Sequence, residues 1–495
     1  MKSKEGKLVS IKLNFILNAL RVFSTALITL ATIPYLNRIL GVENIGKIEY
    51  IYTVITYFVL FSSIGIPMYG IREVSKKRHD SKKLYALVLE LLIILLITTV
   101  ISYILIFGIV LQIGYFHSYK NLIYIMSFMV ILNNIGAEWY FQGMENQKFI
   151  TIRHVFIRVT ILALIFIVIK NSSDYEKYAV LFVIMLYGAN IINFITILRK
   201  IVSYDIKYKD LDIKRHLRPV FAIFIATVSV NIYLQLDTFL LGSIAGDRYV
   251  AYYTLANKLI RYVITFITII GSVMLPRLSY LYLNDRIQYN RLLKKAFDIM
   301  MLLAIPSTIY FFLFSKQIIL FMGGTDFIVA DLTIKILSPL CIIVSFAYFF
   351  GFLILYPQGK EKIYTVATII SALVSIVLNF YAINNFQHNG AAVVALIAEA
   401  IAIFIMLYFI KKDYNLRTFF DDNFFKIILV NTTVAVTVFI LKNFVLIDDD
   451  DFVWTYMSLI FIALYFVLLL GMREKNMIET LIRLVPKWQY GKNKS

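Results

Sequence analysis

Arg21 sits in the middle of an apolar stretch, with Asn14, Asn18 and Thr25 at spacings that place all four on one face of a helix. A second stretch carries a longer stripe of the same kind: Thr254, Lys258, Arg261, Thr265, Thr268 and Ser272, with mostly Ile, Val, Leu and Phe between them. A charge at the centre of a membrane-spanning helix costs about 2.5–3.5 kcal/mol. Lipid cannot satisfy such a stripe, so it must face protein or water. Interhelical hydrogen bonds suffice for Thr, Ser and Asn, whereas each cation needs a counter-charge or a hydrated path. Arginine offers a planar fork and lysine a mobile point charge, and both suit phosphate. Arg21, Lys258 and Arg261 are therefore expected to line a hydrated path and to meet a phosphate, with Asn14, Asn18, Thr25, Thr265 and Thr268 as polar lining. Structural ion pairs are the competing reading.

Six carboxylates fall in or near apolar stretches: Glu49, Glu90, Glu138, Asp237, Asp298 and Glu399. Asp237 precedes the Lys258/Arg261 helix by one span and is a candidate counter-ion. Glu138 and Glu399 are candidates for counter-ion or ion-coupling roles, since burial disfavours the charged carboxylate. Glu49, Glu90 and Asp298 lie toward span ends, where snorkelling weakens any such reading. The acidic run Asp448–Asp451 reads as a solvated turn, its loop being too short to build a metal-dependent site. No GxxxxGK[ST] phosphate loop, HExxH motif or marked nucleophile occurs. The five histidines (His79, His117, His154, His216 and His388) lie in connections or near span ends. The expectation is a protein that is not an enzyme, with no cofactor and no metal.

The elements that must position these residues follow from composition. With 60% hydrophobic and 16% charged residues, the chain is not a soluble domain. A spanning helix needs roughly 20 apolar residues. Fourteen such stretches are predicted, including the first at 11–33, the fourth at 120–141, the seventh at 219–241, the eighth at 249–275, the tenth at 331–356 and the last two at 424–445 and 452–471. The net charge of +19 does not mark a nucleic-acid binder. Basic residues gather in alternate connections, most densely in Arg72–Lys83 and Arg199–Arg218, which is the positive-inside pattern. It places both termini in the cytoplasm and favours anionic lipid as the neighbour of those runs. The first stretch is too long for a cleaved signal peptide and reads as the first span. The lone Cys341, inside a span, excludes an intrachain disulfide.

An internal repeat ties the two stripes together. The fourth span ends Tyr140-Phe141-Gln142-Gly143-Met144-Glu145, and the tenth ends Tyr356-Pro357-Gln358-Gly359-Lys360-Glu361. Leu40-Gly41 before the second span is matched by Leu241-Gly242 before the eighth, each followed by a further glycine, Gly46 and Gly246. An offset of six helices preserves orientation, so the repeats are parallel and related by an axis along the membrane normal. The fold expected is an all-α polytopic membrane protein with 14 transmembrane helices. Two six-helix lobes, 1–200 and 219–410, are related by a pseudo-two-fold and joined by a cytoplasmic linker at 201–218. Two further helices occupy 411–472, and a cytoplasmic tail occupies 473–495.

Four motifs carry a resemblance to a known family. They are Ile33-Pro34-Tyr35-Leu36-Asn37-Arg38-Ile39-Leu40-Gly41 with Gly46; Glu138-Trp139-Tyr140-Phe141-Gln142-Gly143-Met144-Glu145; Leu236-Asp237-Thr238 with Leu241-Gly242, Tyr252-Tyr253 and Leu275-Pro276-Arg277-Leu278-Ser279; and Asn389-Gly390-Ala391-Ala392 with Glu399. In this order and spacing, from about residue 10 to 410, the chain resembles Wzx-type oligosaccharide flippases of the multidrug/oligosaccharidyl-lipid/polysaccharide exporter superfamily. The resemblance implies two six-helix bundles around a cavity open alternately to each side of a bacterial cytoplasmic membrane. It implies an undecaprenyl-pyrophosphate-linked oligosaccharide as substrate, its pyrophosphate bound by Arg21, Lys258 and Arg261, with membrane lipid around it and a polysaccharide polymerase and glycosyltransferases as partners in surface polysaccharide synthesis. Nucleic acid is not an expected partner. Two other readings stay open: an ion-coupled multidrug antiporter of the same superfamily, whose site should be lined by carboxylates and aromatics, and a membrane glycosyltransferase or polymerase.

Overall fold

The computed structural model describes residues 11–204, 206, 211–412, 414, 416–444 and 451–472. Those residues form helices and contain no strand. In chain order the helices are α1 (Ile11–Ser63), α2 (Ile66–Lys77), α3 (Ser81–Gly108), α4 (Lys120–Gly136), α5 (Glu138–Gly143), α6 (Gln147–Val168), α7 (Tyr175–Tyr187), α8 (Ala189–Val202), α9 (Lys214–Ile244), α10 (Asp247–Asn284), α11 (Arg286–Leu313), α12 (Ser315–Gly323), α13 (Asp331–Leu337), α14 (Leu340–Tyr348), α15 (Glu361–Ile410), α16 (Asp422–Phe444) and α17 (Asp451–Gly471). The acidic turn at 448–450 and the tail at 473–495 lie outside the described residues, as does part of the expected linker.

Helix α3 shows why these sequences span a membrane. Leu87, Leu91, Ile94 and Leu95 are buried on one side, yet Ile97, Val100, Ile101 and Ile104 on the other are exposed and equally apolar. A helix that is apolar all round, with one face packed and one bare, has lipid for its second solvent. Its start is fixed by Asp80, whose side chain accepts from the backbone N–H of Lys83.

By length and composition, nine helical runs among the described residues can cross a membrane, or eleven if each of two bent pairs is one span. Fourteen were expected from the apolar stretches. Merging accounts for part of the difference. Helix α1 holds the first and second predicted spans across a kink at Gly41 (φ 74°, ψ 170°). Helix α15 holds the eleventh and twelfth across Gln387 (φ 46°, ψ −127°).

Two compact units divide the chain, Met1–Ala251 and Tyr252–Ser495. The division falls later than the linker at 201–218. Helix α9, the seventh predicted span, is expected in the second lobe but packs on α1 and α2 in the first unit. The reason is close backbone approach at small residues. A Cβ on Gly65 would lie 2.8 Å from the carbonyl oxygen of Val220 in α9, and one on Gly242 of α9 would lie 2.1 Å from the ring of Tyr50; just beyond α9, a Cβ on Gly46 would lie 1.9 Å from the carbonyl oxygen of Asp247, the first residue of α10. Tyr50 Oη is also 3.0 Å from Ser243 Oγ, and Tyr115 Oη donates to the Gly242 carbonyl at 2.8 Å. Gly46→Ala is accordingly expected to lower the thermal unfolding midpoint in detergent, by an overpacking cost of about 1–3 kcal/mol. Gly108→Ala, where an added Cβ meets nothing within 4 Å, is the control and should not lower it.

In the second unit, Phe297 of α11 is ringed by Phe346, Phe349, Phe419 and Phe424, with centroids 5.1 to 5.8 Å away. Helices α16 and α17 pack on each other and dock on α11 and α12. Polar contacts seal that docking: Tyr310 Oη lies 2.8 Å from Ser458 Oγ, and Lys442 donates to the Leu313 carbonyl at 2.8 Å. Cys341 is buried.

Candidate functional site

The first unit gathers its charges where α4 breaks into α5. Ala137, between them, has a left-handed backbone (φ 40°, ψ 43°). That conformation costs a non-glycine residue about 1–3 kcal/mol and concentrates at functional sites. The break makes Glu138 the first residue of α5 and turns it toward α1. Arg21 donates from Nη1 to Glu138 Oε1 at 2.8 Å and from Nη2 to Asn18 Oδ1 at 3.2 Å. Gln142, one turn on, donates to the same Glu138 oxygen at 3.0 Å. On the other side of the carboxylate, Arg153 Nη2 is 3.6 Å from Glu138 Oε2. Arg153 itself is 5% exposed, donates to the Ala189 carbonyl at 2.8 Å, and lies over the rings of Phe141 and Phe149.

A cavity of about 200 Å³ opens beside this cluster, lined by Glu138, Gln142, His154, Asn133, Asn134 and Asn190 among others. A bend of 46° between α7 and α8 helps to form its wall. Asn134 is held by a bond to Thr99 Oγ1 at 2.7 Å, and Asn190 by one to the Leu132 carbonyl at 3.0 Å.

The second unit carries a parallel arrangement on α10. Arg261 donates from Nε to Asn257 Oδ1 at 3.2 Å, and its Nη2 is 3.9 Å from Glu399 Oε1. Each unit thus has an arginine held by an amide of its own helix and faced by a carboxylate from another helix. The threonines repeat too. Thr25 donates to the Arg21 carbonyl at 2.9 Å, and Thr265 to the Arg261 carbonyl at 2.8 Å. Thr268 donates to Ile264 at 3.0 Å. These hydroxyls donate within their own helices, to carbonyls one turn back.

The structure therefore joins Arg21, Asn18, Thr25 and Glu138, and separately Arg261, Thr265 and Glu399. Lys258 is half-buried on α10, in the second unit, and Asp237 is half-buried on α9, in the first. The side chain of Asn14 lies outside the described residues.

Two groups escaped sequence reading. Arg153 begins the fifth predicted span and looks like an ordinary cytoplasmic anchor. The only local signal is Phe149, one helical turn before it. The second group surrounds Glu90, which is fully buried instead of snorkelling. It accepts from Arg215 Nη2 at 2.6 Å and from the backbone N–H of Asp212 at 2.7 Å, and lies 2.7 Å from His216 Nε2. His216 Nδ1 is in turn 2.7 Å from Tyr69 Oη. These contacts lash the start of α9 to α2 and α3. No group of three or more His, Cys, Asp or Glu able to hold a metal occurs among the described residues.

A family model described as polysaccharide biosynthesis protein matches residues 11–282. A second, described as MatE, matches residues 222–381. The chain is 24% identical over 411 residues to a putative O-antigen transporter of Escherichia coli (strain K12), covering 82% of this chain and 98% of the relative. Its fold is similar to that of lipid II flippase MurJ in an inward closed conformation, with a TM-score of 0.71 at 17% identity over 95% of this chain and 100% of the other. It is also similar to an inward-facing multidrug resistance MATE family transporter of the MOP superfamily, with a TM-score of 0.57 at 14% identity over 78% of this chain and 93% of the other.

Proposed function

This chain belongs to the polysaccharide biosynthesis protein family, and on that premise we propose that it flips lipid-linked polysaccharide units across the membrane. The substrate in this reading is an undecaprenyl-pyrophosphate-linked oligosaccharide, carried from the cytoplasmic to the outer leaflet by alternating access. Both chain ends would lie in the cytoplasm. Similarity to a putative O-antigen transporter along most of both chains supports the transported class. The single observation that carries the reading is chemical: arginines stand within the spans of both units, each held by a neighbouring amide. A pyrophosphate is the part of such a substrate that needs cations inside a membrane, and guanidinium forks match its oxygens. Lys258, on the same stripe as Arg261, adds a mobile positive charge.

The test is reconstitution. Purified protein in vesicles loaded on one leaflet with a fluorescent undecaprenyl-pyrophosphate disaccharide should expose it on the other leaflet. Empty vesicles should not. A protein that moves no labelled lipid, yet confers drug resistance on an exporter-deficient host, would instead be the antiporter that shares this fold.

A further inference from the structure

We infer that Glu138 is a resident counter-ion displaced from Arg21 by the incoming pyrophosphate, and that Arg153 is the positioning residue that receives it. The inference rests on the reading that Arg21 engages the substrate pyrophosphate, and it adds how a paired arginine becomes available.

Arg21 is incompletely satisfied. It makes one short bond to Glu138 and one longer bond to Asn18, and its Nε is buried with no hydrogen-bond partner among the described residues. A phosphate, with more acceptor oxygens than one carboxylate, can use donors that Glu138 leaves idle. Arg21 keeps 24% of its side chain exposed, so it can be reached. Arg153 cannot serve as the substrate's cation. It is 5% exposed, tied to the Ala189 carbonyl, and set against two phenylalanine rings with its charge 5.5 and 5.7 Å from their centroids.

Arg153 can, however, take over the carboxylate. Glu138 Oε2 already stands 3.6 Å from Arg153 Nη2. A shift of less than an ångström would turn that separation into a charge-assisted hydrogen bond. Glu138 thus never becomes an unpaired charge in a poorly solvated place, which is the outcome that makes breaking a buried pair costly. Two guanidiniums share one carboxylate in the empty state and one carboxylate plus a phosphate in the loaded state. The second unit repeats the arginine, the amide and the carboxylate at a looser separation, with Arg261 3.9 Å from Glu399 and bonded to Asn257. Substrate affinity is then set by an exchange of anions on Arg21 rather than by simple addition of one.

The experiment measures binding of undecaprenyl pyrophosphate to the purified full-length protein in detergent, for wild type, Glu138→Gln, Arg153→Gln and the double variant. Glu138→Gln removes the competitor and should tighten binding by at least about fivefold, the lower end of ordinary coupling between sites. Arg153→Gln should weaken binding by a similar factor, because Glu138 loses its second berth. The double variant should bind like Glu138→Gln, since Arg153 acts only through that carboxylate. Arg153→Lys, which keeps the charge, should stay near wild type and guards against a fold lost to Arg153→Gln. The inference is overturned if Glu138→Gln binds no better than wild type, or if Arg153→Gln weakens binding equally with and without Glu138. Failure of the wild type to bind the pyrophosphate lipid, or undiminished binding by Arg21→Ala, would instead overturn the function proposed above.

Discussion

Arg21→Ala is expected to cut lipid-linked oligosaccharide flipping by about 10- to 150-fold at equal protein abundance, as read in reconstituted vesicles and as surface polysaccharide in cells. A hydrogen bond to a charged group contributes about 1.5–3 kcal/mol, which is that range of rates when the lost contact is one the substrate phosphate needs. The substitution acts on the carrier as well. Glu138 loses its 2.8 Å partner and keeps Gln142 at 3.0 Å and Arg153 at 3.6 Å. The carboxylate then adds repulsion to the missing attraction, so Arg21→Ala should be more damaging than Arg21→Lys. Wild-type flipping by Arg21→Ala would show that the stripe on α1 is structural, an ion pair holding α1 to α5. Protein abundance must be measured beside activity, because the same pair also contributes to packing.

The largest effect on stability is expected at Glu90. Removing it as Glu90→Ala leaves His216 and part of Arg215 facing a cavity where three contacts of 2.6 to 2.7 Å had been. Breaking a buried ionic group by deleting one partner costs about 3–5 kcal/mol, a large fraction of the total stability of an ordinary domain. The thermal unfolding midpoint in detergent should fall more than for any single substitution on the lipid-facing side of α3. Replacing the two buried members, as Glu90→Leu with His216→Leu, should recover part of the loss, since apolar side chains then fill the space and Arg215, 44% exposed, can turn its charge to water. If Glu90→Ala melted at the wild-type temperature, the cluster would carry no net stability and Arg215 and His216 would find water instead.

These two sites differ in how visible they are in the chain. The Arg21–Thr25 and Arg261–Thr265 pairs are legible because the helix brings residues four apart onto one face, a local rule needing no partner. Membrane residence is legible for a similar reason, since lipid imposes its demand on each helix alone. Arg153 and the Glu90–His216 contact depend on which helix comes to lie against which, and a single sequence does not state that. Glu138 is legible as a counter-ion candidate, but its partner depends on the left-handed backbone at Ala137, and alanine carries no signal for that conformation. The kink at Gly41 occurs at a residue suited to positive φ; the one at Gln387 does not. The unit boundary at 251 was hidden for another reason. A repeat records how two halves of the chain resemble one another, whereas a compact unit records which helices touch, and α9 resembles one half while touching the other.

That placement of α9 bears on how the protein is made. Helix α8, the last before the basic connection, ends at Val202. The glycine seat at Gly65 and the Glu90 carboxylate have no occupant until α9 has followed. The first unit is therefore finished by a helix synthesised after the basic connection that precedes it. The basic connection thus leads directly into Arg215 and His216, in the first turn of α9, whose contacts with Glu90 at 2.6 and 2.7 Å are the earliest in chain order that this helix makes to α3.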